Sequence, residues 1–175
     1  AGPLTAAGRM GSASAGAHPA RAVSPVHLPN ANVFLIHSAL GQAWADDTCA
    51  TLMTDVSWRT ASIQMFGRRI PSPRLTAWVG DHAYTYSSLT RPPAPWGKTL
   101  RAIRQRVEEL TGTSFNGVLL NLYRDGYDSM GWHSDDEPEL SRQPVIASLS
   151  LGAPRRFVFR AIKNHAHKCR LTLNH

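Results

Sequence analysis

His133 and Asp135 stand two residues apart, just beyond an apolar run from Gly117 to Tyr123 that an Asp125-Gly126 break terminates. On extended backbone, residues i and i+2 point to the same face, so this spacing aims an imidazole and a carboxylate at one point. Such a pair supplies two ligands of the 2-His-1-carboxylate set that holds non-haem Fe(II) with open positions, and a distant histidine would have to complete it. Taken alone, a loop histidine beside a solvated aspartate is the commoner arrangement. Upstream, Asn121 and Tyr123 share one face of the apolar run, and both side chains can donate hydrogen bonds.

The pair sits inside a longer pattern. Asn-x-Tyr-x-x-Gly begins at Asn121 and His-x-Asp-x-Glu-x-x-Leu at His133; Pro-Val-Ile-Ala-Ser-Leu-Ser-Leu-Gly-Ala begins at Pro144 and Arg-Arg-Phe-Val-Phe-Arg at Arg155. This ordered set resembles the AlkB family of Fe(II)- and 2-oxoglutarate-dependent dioxygenases, which demethylate alkylated nucleobases. The match runs from about Leu28 to the last residue and is densest between Val118 and Arg160.

The resemblance implies that His133 and Asp135 are the catalytic iron ligands and that Asn121 and Tyr123 bond the carboxylates of 2-oxoglutarate. Glu137 falls where the family places a carboxylate near the exocyclic nitrogen of the damaged base, although Pro138 suggests that the strand has already ended. O2 is the remaining co-substrate. The implied reaction is oxidative demethylation of bases of the 1-methyladenine and 3-methylcytosine type in DNA or RNA, as alkylation-damage repair. The implied fold is α+β: a double-stranded β-helix, or jelly roll, with flanking N-terminal helices and a nucleotide-recognition lid.

The elements that must position these groups follow from pattern. Asn32 to His37 reads as a short strand, and Ala39 to about Val56 as a helix with Leu40, Trp44, Leu52 and Val56 as a rough apolar stripe. Leu100, Ile103, Val107 and Leu110 recur at helical steps between Lys98 and Leu110, and Thr111-Gly112 ends that helix. Its Arg101, Arg104 and Arg106 read as a solvated row. Alternation from Val145 to Leu151, a Gly152 turn and Phe157 to Arg160 suit an antiparallel, barrel-like sheet. His165 and His167 beside Lys163 and Lys168 read as a polar hairpin tip.

Two segments bear on the substrate. Ile63 to Gly67 is an apolar tip followed by Arg68, Arg69 and Arg74. An apolar wedge pushed into a base stack exposes a base for chemistry. By resemblance Phe66, or Met65, is that wedge and Arg74 belongs to the substrate-binding segment; an ordinary hairpin with one buried side fits the same residues. Trp78, Tyr84 and Tyr86 fit either core or a stacking surface. By resemblance Trp78 and Tyr84 touch the base.

The chain has 175 residues, 42% hydrophobic, enough for one domain with a sizeable core. No run reaches the ~18 apolar residues of a membrane span. The net charge is +7, which suits a phosphate-backbone partner without choosing DNA over RNA. Cys49 and Cys169 form neither a CxxC nor a disulfide framework, so a reducing compartment is expected. No signal peptide is evident, and a cytoplasmic, nucleoid or nuclear monomer is expected.

Residues 1–27, rich in Ala, Gly, Ser and Pro, read as a disordered leader before a dioxygenase domain at 28–175. That domain is expected to be incomplete. By resemblance the distal iron-binding histidine and two arginines in Arg-x5-Arg spacing lie beyond Leu171–His175, and His175 is the remaining candidate for a third ligand. Two other functions stay open: a non-catalytic nucleic-acid-binding remnant, and a dioxygenase of the same fold acting on RNA, protein or a small molecule.

Overall fold

Polar and apolar residues alternate from Ser72 to Ala77, a period of two that gives a strand two unlike faces. The computed structural model describes residues 4–9, 22–28, 31–65, 68–86, 89–135 and 144–175. In chain order these form β1 (Leu4–Arg9), β2 (Val23–Leu28), β3 (Ala31–Ile36), α1 (Gln42–Asp55), β4 (Arg59–Met65), β5 (Arg68–Gly80), β6 (Tyr84–Tyr86), β7 (Leu89–Arg91), α2 (Lys98–Thr111), β8 (Ser114–Leu122), β9 (Val145–Leu149), β10 (Arg155–Arg160) and β11 (Lys168–Leu173).

A five-stranded sheet runs in the order β4-β5-β8-β1-β9, and β2-β3, β6-β7 and β10-β11 are separate antiparallel pairs. Each neighbouring pair in the large sheet is antiparallel. Val79 lies opposite Val118 and Ala77 opposite Leu120, and these residues pack against Leu40, Ala45 and Leu52 around α1 and Leu100 and Ile103 on α2. Burying this apolar face stabilises the sheet–helix layers by roughly 25 cal/mol per Å² removed from water. Among the described residues no helix is long and apolar enough to cross a membrane.

Helix α2 follows its sequence periodicity. Leu100 and Ile103 are buried and Val107 packs against the core, while Gly112 takes the left-handed conformation (φ 64°) and its N–H bonds the Glu108 carbonyl. Its arginines are spent within the protein: Arg104 pairs with Glu108 and Asp81, Arg106 with Glu109, and Arg101 bonds the Trp96 carbonyl. Helix α1 is shorter than the expected 39–56 and buries Ala45, Thr48 and Leu52, leaving Trp44 exposed. The buried face of this helix includes Ala45 and Thr48, small or polar residues that an apolar-stripe pattern does not register.

Of the segment read as a leader, Leu4–Arg9 lies in β1 and β2 begins at Val23. Strand β1 pairs along β8 from Leu4↔Leu120 to Arg9↔Ser114 and along β9 from Leu4↔Leu149 to Gly8↔Val145. Backbone pairing of this kind is tolerant of side chains, so an Ala/Gly-rich segment joins a ladder without an apolar signature of its own.

Candidate active site

The alternation along β5 places Ser72, Arg74, Thr76 and Trp78 on the face turned away from the helices. Thr76 lies opposite Asn121 and Trp78 opposite Leu119, so the same face of β8 carries Leu119 and Asn121. Ser72, Arg74, Thr76 and Asn121 are all buried. One sheet therefore presents hydrocarbon to α1 and α2 and a row of hydrogen-bonding side chains to the other side.

Arg74 and Asn121 meet diagonally across this face. Arg74 Nε donates to Asn121 Oδ1 at 2.7 Å, and Nη1 donates to Ser72 Oγ at 3.1 Å. A guanidinium can only donate, so the amide oxygen must face Arg74 and the amide nitrogen must face away. The ladder of β4 and β5 shifts register between Thr60/Ser62, opposite the Ser72–Arg74 stretch. Such irregularities re-aim side chains, and here the arginine turns inward. Arg74, expected in the substrate-binding segment, is thus a buried residue of the β5 face.

Tyr123 follows β8 and is buried. Burial raises its phenol pKa above the ordinary value, and the nearby Arg74 and Arg155 cations work against that rise. The Arg155 guanidinium carbon lies 4.1 Å from the Tyr123 ring centroid. Beyond it the chain turns sharply: Asp125 Oδ1 accepts the N–H groups of Tyr127 at 2.8 Å and Asp128 at 3.0 Å. Arg124 closes the turn with two guanidinium bonds to the Asp128 carboxylate, at 2.7 and 2.8 Å, and its backbone N–H adds a third. These bonds hold the Asp128 carboxyl down at about 2.

His133 and Asp135 converge, as their spacing implied. His133 Nε2 lies 3.6 Å from Asp135 Oδ1, and both side chains are about one-third exposed. His133 Nδ1 lies 3.0 Å from the Gly131 carbonyl oxygen. A carbonyl can only accept, so in the neutral ring the proton sits on Nδ1 and Nε2 offers its lone pair toward the carboxylate. An imidazole nitrogen and a carboxylate oxygen held this close suit a shared cation, and these residues fit two ligands of an Fe(II) site. Residues 130–135 belong to no ladder. The preceding Trp132 is exposed and stacks under Arg160, whose guanidinium carbon is 4.1 Å from the ring centroid.

His175 is occupied elsewhere. Its Nδ1 accepts the Gly152 N–H at 2.7 Å, which leaves Nε2 as the protonated nitrogen of the neutral ring, facing Asp46 Oδ1 at 3.0 Å. Among the described residues no group of three or more His, Cys, Asp or Glu side chains could hold a metal ion.

Trp78 lies over the cross-strand glycine pair Gly80↔Gly117. A Cβ on Gly117 would stand 2.4 Å from its ring. The indole N–H donates to the His82 carbonyl at 3.0 Å. The half-buried ring thus occupies the face that carries Arg74 and Asn121. Phe66 and Glu137 lie outside the described residues. For Met65 and Tyr84 the backbone is described: Met65 pairs with Arg68 at the end of the β4–β5 ladder, and Tyr84 pairs with Arg91.

Sequence reasoning missed Ser72, Thr76, Asp128, Arg155 and Arg160. The first two carried a usable signal, the period-two alternation from Ser72 to Ala77. The two β10 arginines stood in the Arg-Arg-Phe-Val-Phe-Arg motif, but their contacts to Asp125, Asp128 and Trp132, 27 to 30 residues earlier, left no local pattern.

Comparison with known proteins fits this arrangement. Residues 32–175 match the 2OG-Fe(II) oxygenase superfamily. The chain is 49% identical over 117 residues to the human alpha-ketoglutarate-dependent dioxygenase alkB homolog 3, covering 66% of this chain and 41% of that protein. It is 43% identical over 138 residues to the mouse DNA oxidative demethylase ALKBH2, covering 76% and 58%. With the DNA oxidative demethylase ALKBH2 of Arabidopsis thaliana the identity is 34%, over 62% of this chain and 37% of the relative. The chain spans about two-fifths to three-fifths of the length of these relatives. On these matches the chain belongs to the 2OG-Fe(II) oxygenase superfamily and, within it, to the AlkB family of Fe(II)/2-oxoglutarate dioxygenases.

Proposed function

We propose that this chain carries the core of an oxidative demethylase acting on N-alkylated bases, of the 1-methyladenine and 3-methylcytosine type, in DNA or RNA. The observation that carries this reading is the approach of His133 Nε2 to Asp135 Oδ1, with Nδ1 tied to the Gly131 carbonyl. Fe(II) and 2-oxoglutarate, when bound, supply oxidation of an N-methyl carbon by O2, after which formaldehyde leaves the base.

The chain's own residues bind and orient. His133 and Asp135 hold the metal. The Asn121 amide nitrogen, turned outward by Arg74, and the Tyr123 hydroxyl donate to 2-oxoglutarate carboxylates; burial raises the phenol pKa, which keeps it a donor at neutral pH. Trp78 and Tyr84 stack on the base, the Met65–Phe66 tip wedges the neighbouring stack, and Glu137 accepts from the base edge. Arg74 serves the pocket from within. The large sheet is part of a jelly roll within a domain at 28–175, and the β6–β7 pair is part of the nucleotide lid. The excess of 19 Lys and Arg over 12 Asp and Glu serves the phosphate backbone.

The test is turnover of a 1-methyladenine oligonucleotide with Fe(II), 2-oxoglutarate and ascorbate, read as formaldehyde released. Turnover is expected once this chain is joined past His175 to the segment that follows the matching position in human alkB homolog 3, and in that extended form His133→Ala and Asp135→Ala are each expected to abolish it. Salt-dependent binding of the oligonucleotide with no turnover, unchanged by either substitution, would favour a non-catalytic binding protein instead.

A further inference from the structure

Arg155, the first residue of β10, reaches back to the segment that joins Asn121 and Tyr123 to His133 and Asp135. Nη1 donates to the Asp125 carbonyl at 3.1 Å and Nη2 to the Asp128 carbonyl at 2.6 Å. The plane of the same guanidinium lies over the Tyr123 ring. Within this turn the Asp125 and Asp128 carboxylates take N–H groups of Tyr127, Asp128 and Arg124, and the Asp125 and Asp128 carbonyls take the Arg155 donors. Just past the turn, Ser129 N–H bonds the Pro73 carbonyl, beside Arg74. The segment is thus fixed from β10 on one side and from β5 on the other.

Only arginine combines these roles. Its planar fork can stack on an aromatic face while donating along two directions to separate oxygens, whereas an ammonium is a compact point charge. The adjacent Arg156 is exposed, so the chain carries its own comparison of the same residue type one step along the strand.

We propose that Arg155 is a positioning residue for the 2-oxoglutarate site, setting the Tyr123 ring and the Asp125–Asp128 turn that separates Tyr123 from His133. The assignment rests on the proposed function in so far as Tyr123 binds 2-oxoglutarate. Arg155 acts through Tyr123 and the turn rather than on the reacting atoms.

The experiment compares Arg155→Met, Arg155→Lys and Arg156→Met with the parent chain in two measurements. The first is calorimetric binding of 2-oxoglutarate with Fe(II) under argon. The second is carbon NMR of labelled tyrosine without metal or 2-oxoglutarate, with Tyr123 assigned from Tyr123→Phe. Arg155→Met and Arg155→Lys are both expected to weaken 2-oxoglutarate about tenfold, the usual effect of losing a residue that orients a ligand-binding group, and Arg156→Met to leave it unchanged. Tyr123 is expected to shift in both Arg155 variants and to titrate higher in Arg155→Met, which has lost a neighbouring cation. Parental affinity in both Arg155 variants, or full rescue by lysine, overturns the proposal. If the parent fails to bind 2-oxoglutarate while Tyr123 still responds to Arg155→Met, the proposed function falls and the hold of Arg155 on Tyr123 stands.

Discussion

Arg74 Nε and Asn121 Oδ1 meet at 2.7 Å across the β5–β8 pair, with both side chains buried. Among the described residues no carboxylate pairs with this arginine, so the amide oxygen and the Ser72 hydroxyl are its partners. Removing the acceptor strands a buried cation, whereas removing the cation leaves a neutral amide that can rotate. Asn121→Leu is therefore expected to destabilise the fold by about 3 kcal/mol and Arg74→Met by only about 1–2 kcal/mol. Urea unfolding of both variants checks the order. Equal costs would mean that the pair does not fix the amide.

Trp78 and Gly117 form a second such relationship. The ring lies where a Cβ on Gly117 would come within 2.4 Å, so no side chain fits there without moving the indole. Gly117→Ala is expected to cost about 1–3 kcal/mol through overpacking and to shift the tryptophan fluorescence. Combined with Trp78→Phe, the same glycine substitution should lose most of its effect on the fluorescence. Under the proposed function Gly117→Ala also weakens a methylated oligonucleotide, because the stacking ring has been displaced.

These two relationships mark how far the sequence could be read. Helix α2 was legible because Leu100, Ile103 and Val107 recur at helical steps and Gly112 closes them. The His133–Asp135 approach was legible because i+2 spacing is a local property. The inward turn of Arg74 was not, since its partner lies 47 residues away and a charged residue among prolines reads as surface. Strand β1 was opaque for the same reason: its ladder bonds go to β8 and β9, more than 100 residues later. What sequence periodicity captures is which face of an element is apolar, and long-range pairing decides what the polar face meets.

Thr48 offers a test of packing alone. It is buried on α1 at 2% exposure, and its Oγ1 has no hydrogen-bond partner among the described residues. A buried hydroxyl left unpaired keeps its desolvation cost. Thr48→Val retains the branched shape and removes the polar atom, so it is expected to stabilise the protein by about 1 kcal/mol. A rise in the urea midpoint without a change in slope is the signature. A fall would mean that the hydroxyl has a partner in solution.

Asp128 sets a pH dependence whose sign follows from its partners. Two side-chain bonds and a backbone bond from Arg124 favour the ionised carboxylate, lowering it from 3.8 to about 2. A depressed carboxylate contributes stability that is fully present above 3.8 and is lost as pH falls toward about 2, where the folded state must also take up the proton. Asp128→Asn removes that contribution at every pH. The melting temperatures of parent and variant are therefore expected to differ most above about pH 4 and to converge as the pH approaches 2, whatever the other carboxylates do to both. Because Arg124 and Arg155 hold the same turn from opposite sides, Asp128→Asn should also loosen the Tyr123 resonance at neutral pH. A gap in melting temperature that stays constant down to about pH 2 would mean that the Arg124–Asp128 bonds add nothing to the folded state.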